Sequence, residues 1–428
     1  MKRNLSLTIL FVAALAGVNC HRSSDSGTTL KFWALGNEGE LVRQLIPEFE
    51  RRNPGIHVVV QQIPWTAAHE KLLTAIAGES TPDVCQIGNT WIPEFTVLKS
   101  LEPLDPYTSR SPDISLHDFF DGVLKTNVID STLYGIPWYV DTRVMYYRRD
   151  LLREVGYSEP PATWEGMLTL CDALQRSARA KGITRYPFFL QTNEWVPAIV
   201  LGMQSGGNFL KENNTRGNFS GPQFRAAFTL LAKFYHKEYS PSGMQLITNL
   251  YDSFSEGLLA MYISGPWNIG EFSRRIPPRL QNEWMTAPLP SMDSTSPGVS
   301  LPLGTSLIVF RQSRQKEEAW KLVKYLTSRE QLIELYRITG NLPPRKSAWE
   351  DTSLSRNKYI KAFYRQLQRV NPLPQVAEWE QIVIRLQLYV EYIATNTMTV
   401  EDALGRFDTE VNQMLEKRRW FVERNRTR

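Results

Sequence analysis

Cysteine is scarce, three residues in 428, and none stands in a CxxC or Cys/His spacing that would hold zinc or run dithiol chemistry. Short catalytic signatures are missing too: there is no GxSxG elbow, no HExxH and no phosphate-cradling Gly-Lys loop. Beyond the first twenty residues no apolar run approaches the ~20 residues of a membrane span. Excess charge of either sign is absent: 49 Lys and Arg against 44 Asp and Glu leave +5, which argues against a nucleic-acid partner. The hydrophobic fraction of 42% and the charged fraction of 22% are those of an ordinary globular protein, and the length exceeds one compact core, so two or three units are expected.

What is plentiful is aromatic: 12 Trp and 17 Tyr. Indole rings serve packing or flat ligand contact, and their positions decide which. The first segment has another purpose. Lys2 and Arg3 precede the apolar run Leu5 to Leu15, and small residues lead to Cys20, the layout of a secretory leader. Export is the expectation, with residues 1–20 as signal peptide and 21–27 as a polar tether. The run AGVNC resembles a lipoprotein cleavage box in which Cys20 becomes acylated, with Asn19 standing where that pattern has Gly, Ala or Ser. Membrane contact is then expected only through that lipid. The other cysteines, Cys85 and Cys171, lie in apolar stretches and read as buried, unpaired thiols.

Along the chain, Thr29 to Leu35 reads as a strand stopped by Gly36-Asn37, and Glu40 to Arg52 as a helix stopped by Asn53-Pro54-Gly55. Ile56 to Ile63 is a second strand, His69 to Ala77 a second helix, and Asp83 to Gly88 a third strand. That alternation predicts an α/β fold with a parallel sheet, whose ligands bind beyond the carboxyl ends of the strands. Trp33 ends the first strand, Trp65 follows the second, and Asn89-Thr90-Trp91 follow the third, so three indoles are expected at one rim. Further on, LYGIPWYVDTRVMYYRRDLL reads as a strand pair leading into a helix. Thr163 caps a long helix in which Trp164 packs, and Phe224 to Tyr235, Lys316 to Leu326 and Glu378 to Ala394 are helical. Ser306 to Phe310 is a strand, and Lys417 to Arg428 a solvated basic helix end.

In order along the chain, LKFWALGNEGE, LIPEFERRNPGIHVVVQQIPW, TPDVCQIGNTWIPEF, LYGIPWYVDTRVMYYRRDLL, PATWEGML, ISGPWNIGEF, LPLGTSLIVF, AWKLVKYLTSREQ and TGNLPPR resemble the group 1 extracellular solute-binding proteins, the maltose-binding-protein-like receptors. The resemblance implies a periplasmic-binding-protein-like α/β fold: two lobes, a hinge, and ligand in the cleft between them. Its lobes would be 28–138 with 287–343, and 139–286 with 344–428. It implies an exported, monomeric receptor, periplasmic or anchored as a lipoprotein, which hands a mono- to oligosaccharide to the transmembrane permease of an ABC importer, with no cofactor, no metal and no catalysis.

A sugar ring presents apolar C–H faces and a rim of hydroxyls, so its site needs flat rings together with charged, fork-shaped partners. Carried over residue by residue, Glu38, Asp141 and Arg345 would bond hydroxyls, while Tyr139, Trp195 and Trp267 would stack. Asp141 lies two residues before Arg143 and equally suits an intralobe ion pair. Many relatives place Gly-Gly-Ser against the ligand where this chain has Leu303-Gly304-Thr305, so Leu303 is expected to narrow or reshape the cleft beside Gly304, which would itself face the ligand. Two alternatives share these features: a secreted glycoside hydrolase using two of Glu38, Asp141 and Glu194, and a sensory receptor of the same fold.

Overall fold

A computed structural model describes residues 27–295 and 298–426. The leader, the Cys20 lipidation site and the tether up to residue 26 lie outside the described residues. Among the described residues, no helix is long and apolar enough to cross a membrane.

Strands β1 (Thr28–Leu35), β2 (Ile56–Ile63) and β3 (Val84–Gly88) form where their apolar residues alternate or run together. A short hairpin of β4 (Val128–Ile129) and β5 (Thr132–Leu133) follows, and then β6 (Ile136–Asp141) and β7 (Val144–Arg148). The chain continues through β8 (Tyr186–Phe189), the hairpin β9 (Leu210–Lys211) and β10 (Arg216–Gly217), β11 (Leu259–Ser264), β12 (Trp284–Ala287) and β13 (Leu303–Val309). Two main sheets result, ordered β2-β1-β3-β13-β6 and β12-β7-β11-β8. The first is mixed: β1 pairs in parallel with β2 and β3 as expected, whereas β13 runs antiparallel to both β3 and β6.

Each sheet carries helices on its faces. Leu30, Phe32 and Ala34 of β1 pack with Trp320, Leu322 and Val323 on one side of the first sheet, and Cys85 and Ile87 of β3 with Leu72, Ile92 and Phe95 on the other. Met145, Tyr147 and Met261 of the second sheet pack with Trp164, Leu170, Phe228, Trp379 and Phe407. A further cluster joins Val140, Tyr146, Tyr262, Trp284, Trp349 and Phe363 at the junction of the sheets. Burying these surfaces supplies most of the driving force, at roughly 25 cal/mol per Å² of apolar area. Cys85 and Cys171 are buried and unpaired, as expected, and burial pushes both thiols well above the usual range.

Local departures from the sequence expectations have local causes. The helix expected over 40–52 is broken into Glu38–Leu41, a 3-10 turn at Val42–Gln44, and Ile46–Arg52. Pro47 has no N–H for the preceding turn and its ring crowds that turn's carbonyl, so the helix restarts there. The helix expected from His69 starts four residues earlier, at Trp65–Ala77, with Pro64 just outside it. Thr163 does cap Trp164–Ala180, its hydroxyl accepting from the Gly166 amide.

Candidate functional site

The carboxyl ends of β1, β2, β3 and β6 and the start of the antiparallel β13 lie at the same edge of the first sheet, because Leu303 pairs with Asp141 and Thr305 with both Gly88 and Tyr139. Facing that edge are loops of the second sheet's lobe. Between them lies a cleft of about 410 Å³ lined by residues of both lobes, within the range of small-molecule sites.

On the first wall, Gly36 takes a left-handed conformation (φ 59°), and a Cβ there would sit 2.6 Å from the Trp65 ring. Glycine therefore lets the turn after β1 close beneath Trp65. Glu38, on that turn, accepts from Asn341 Nδ2 at 2.7 Å. Trp65 and Trp91 meet edge to face with centroids 5.8 Å apart, and Trp91 also abuts His69 at 5.0 Å and Phe95 at 6.4 Å. His69 Nε2 lies 2.7 Å from Glu94 Oε2, and that hydrogen bond raises the imidazole pKa against the opposing effect of burial. Asn89 is buried, and its amide donates to the Pro302 carbonyl (2.7 Å) and the Thr126 hydroxyl (3.1 Å), fastening the end of β3 to the chain entering β13. Thr90 lines the cleft beside it.

At the floor, Gly304 has φ 136°, and a Cβ there would lie 2.3 Å from the Tyr139 carbonyl oxygen. No side chain fits, so β13 and β6 approach closely and Leu303 and Thr305 are set into the cleft lining. Burial, then the Glu38 and Asp141 carboxylates, push the Tyr139 hydroxyl far above its ordinary range, so it stays protonated. The Asp141 carboxyl is raised by burial, partly offset by Arg143. Its Oδ2 bonds Arg143 Nη1, and its Oδ1 is buried without a hydrogen-bond partner.

The second wall is built differently. Trp195 precedes the helix Val196–Gln204 and packs against the second lobe's core, while Trp267 opens the helix Trp267–Arg275 and is 43% exposed. Gly265 makes that placement possible, since a Cβ there would fall 1.9 Å from the Trp267 ring. The Arg143 guanidinium lies over the same ring, 4.6 Å from its centroid.

Ten of the twelve expected binding residues thus line one cleft: Glu38, Trp65, Asn89, Thr90, Trp91, Tyr139, Asp141, Trp195, Trp267 and Gly304. Two do not. Trp33 lies inside β1, where strand alternation turns its ring onto the sheet face under the helix Trp65–Ala77, with Lys71 5.0 Å away over the ring. Arg345 is buried away from the cleft, its guanidinium 4.9 Å over Phe119 and 3.6 Å from Asp118. In the GNLPPR segment Asn341 reaches the cleft instead. Glu380, in the first turn of Trp379–Ala394, also lines it, and burial raises its carboxyl while a hydrogen bond from Thr90 opposes the shift. No local pattern marks Glu380, because it meets Thr90 across 290 residues of chain. Asn341 was within reach of sequence reasoning, as the polar residue before the prolines of its motif.

Residues 33–333 match the family model for the bacterial extracellular solute-binding proteins. The chain belongs to that family. The structure is similar to that of the sugar-binding protein MalE from the phytopathogen Xanthomonas citri, with 42% identity, a TM-score of 0.88, and coverage of 92% of this chain and 99% of that one. It is also 26% identical over 348 residues to a putative binding protein of Brucella abortus, covering 80% of this chain and 82% of the relative. An arabinooligosaccharide-binding protein of Halalkalibacterium halodurans is 24% identical over 355 residues, 79% of this chain and 76% of the relative. The family description accords with export, and the structural match with two α/β lobes.

Proposed function

We propose that this protein is the extracytoplasmic receptor of an ABC importer, that it holds a carbohydrate between its lobes, and that it delivers the sugar unchanged to the membrane permease. The lobes are 28–138 with 287–343, and 139–286 with 344–428, and closure about the hinge brings their walls together. The observation that carries the reading is the pairing of partners in one cleft. Indole rings stand on both walls, Trp65 and Trp91 against Trp195 and Trp267, with carboxylates and amides between them. Rings match the C–H faces of a sugar, and Glu38, Asp141, Glu380 and Asn341 match its hydroxyls. The sugar-binding relative at 42% identity supports the same ligand class.

Cys20 anchors the mature protein through a lipid, and the receptor acts as a monomer. Intact-mass measurement of the membrane fraction would show the acyl mass on Cys20 or its absence. Calorimetry against a panel of mono- to oligosaccharides, with mass spectrometry of the glycans afterwards, tests binding without turnover. Cleaved glycan in excess over protein would establish the glycosidase alternative instead. Scattering curves that coincide with and without a saturating sugar would reject closure, and the receptor reading with it.

A further inference from the structure

Three carboxylates line the cleft, Glu38, Asp141 and Glu380, and no Lys, Arg or His does so among the described residues. Arg143, a cation bonded to that lining, sits just behind it in the crossover between β6 and β7, and its side chain is 8% exposed. Its charge is fully engaged. Nη1 bonds Asp141 at the end of β6, Nε and Nη2 bond Glu194 Oε1 at 3.2 and 2.7 Å, and the guanidinium plane faces the Trp267 ring. Glu194 immediately precedes Trp195. One buried guanidinium therefore touches the Trp267 ring directly, the Trp195 turn through Glu194, and the end of β6 through Asp141. A guanidinium is suited to this because its planar fork bonds two carboxylates while its face lies on an indole.

Resting on the carbohydrate reading above, we infer that Arg143 is a positioning residue that fixes both second-lobe indoles, and that its engagement leaves a cleft which accepts uncharged or amino-bearing saccharides and rejects anionic ones. A phosphate or uronate would enter among three carboxylates and find no free cation, and like charges at such range in a partly dry cleft repel strongly. An ammonium substituent would find acceptors. The side of Trp267 covered by the guanidinium is closed to a sugar, so stacking uses the opposite face.

The test has one arm that needs no ligand and one that does. The Trp267 fluorescence, taken as wild type minus Trp267→Phe, is quenched with caesium and with iodide, and each quenching constant is divided by that of free N-acetyltryptophanamide; the normalised constant should be severalfold larger for caesium. A normalised constant for iodide equal to or larger than that for caesium would overturn the charge assignment whatever the protein binds. In the second arm, native mass spectrometry is run on the protein mixed with equal amounts of neutral disaccharides, glucosamine, glucuronate and glucose 6-phosphate. Retention of neutral or amino members alone is expected, and retention of glucuronate or glucose 6-phosphate would overturn the inference. If no sugar is retained, the carbohydrate reading fails, while the quenching result still decides the charge of the cleft. Arg143→Met should weaken the retained sugar by about tenfold or more and alter the Trp267 signal, with Arg143→Lys recovering part of both. A folded Arg143→Met protein with affinity within twofold of wild type and unchanged Trp267 emission would remove Arg143 from the positioning role. Should that variant not fold, Glu194→Gln is used instead, and a loss in the same direction but smaller is expected; unchanged affinity there would equally overturn the role.

Discussion

The cleft's two walls are held in different ways. On the first-lobe wall the rings brace one another: Trp65 against Trp91, and Trp91 against His69 and Phe95, on turns fastened by Asn89 and Gly36. On the second-lobe wall Trp267 stands nearly half exposed, with a guanidinium behind it and a glycine beneath it. The first wall is thus continuous with its lobe's core, since Trp91 packs against the cluster of Leu72, Ile92 and Phe95, and loss of a ring there removes packing as well as a ligand surface. The second wall presents a ring that the core does not need. Binding and stability should separate on one side of the cleft and remain joined on the other.

The largest effect that would sharpen this contrast is on affinity. Trp267→Ala should weaken sugar binding by about 1 to 3 kcal/mol, roughly fivefold to over a hundredfold, with the unfolding midpoint nearly unchanged. Trp91→Ala should lose affinity and also lower the midpoint in urea, because Trp65 and His69 each lose a neighbour. Calorimetry and urea unfolding on the same samples check both. Equal stability losses in the two variants would show that the walls are built alike. Arg345→Met supplies the opposite case: stability should fall by about 1 to 3 kcal/mol as Asp118 and Phe119 lose their partner, while affinity stays within twofold.

These contrasts also mark how far the sequence reaches. Strand ends were legible because apolar runs stop at turn residues: Ile56–Ile63 falls where its Val-rich run predicts, and Lys316–Leu326 where its helical period does. Side chains just beyond those ends, Trp65 and Trp91 among them, could be placed at the rim for the same reason. Trp33 was misplaced because a strand's last residues still alternate between faces. Arg345 was misplaced because a motif locates a segment, and only packing decides whether Asn341 or Arg345 turns inward. Asp141 carried two readings, an ion pair with Arg143 and a hydroxyl acceptor. The first is present at Oδ2, and Oδ1 is left without a partner in the protein. Glu380 could not be seen at all, because a helix some 290 residues downstream brings it to Thr90.

Glu380 offers a smaller effect that joins the walls. Burial raises its carboxyl pKa above the unfolded value near 4.3, so the charged form is disfavoured in the folded protein. The sign follows from linkage: this group's contribution is fully present below the unfolded pKa and is lost as pH rises through the folded one, leaving a penalty at neutral pH. Glu380→Gln should therefore be more stable than wild type at pH 7, by up to about 1 kcal/mol, with the difference closing near pH 4. The same change should weaken sugar binding several-fold if the carboxylate accepts a hydroxyl. A variant less stable than wild type at pH 7 would mean that the bond from Thr90 and the attraction of His69 outweigh desolvation.

The smallest effect tests the bracing of the first wall itself. His69 has its pKa raised chiefly by the hydrogen bond to Glu94, with Glu380 and Glu70 adding to the attraction and burial opposing it. Protonation is thus favoured in the folded state, so the stabilisation is complete below the unfolded pKa of about 6.5 and disappears as pH rises through the higher folded value. The imidazolium that results lies edge-on to Trp91 and stacked on Phe95, so its loss loosens the support beneath the first-lobe rings. Urea unfolding from pH 5 to 9 should show wild type losing up to about 1 kcal/mol more than His69→Gln across that window, since the pair is partly exposed and solvent screening limits its worth. Subtracting the variant removes the contributions of the other histidines. Parallel curves for the two proteins would show that Trp91 is held by packing alone, and that the first wall owes nothing to charge.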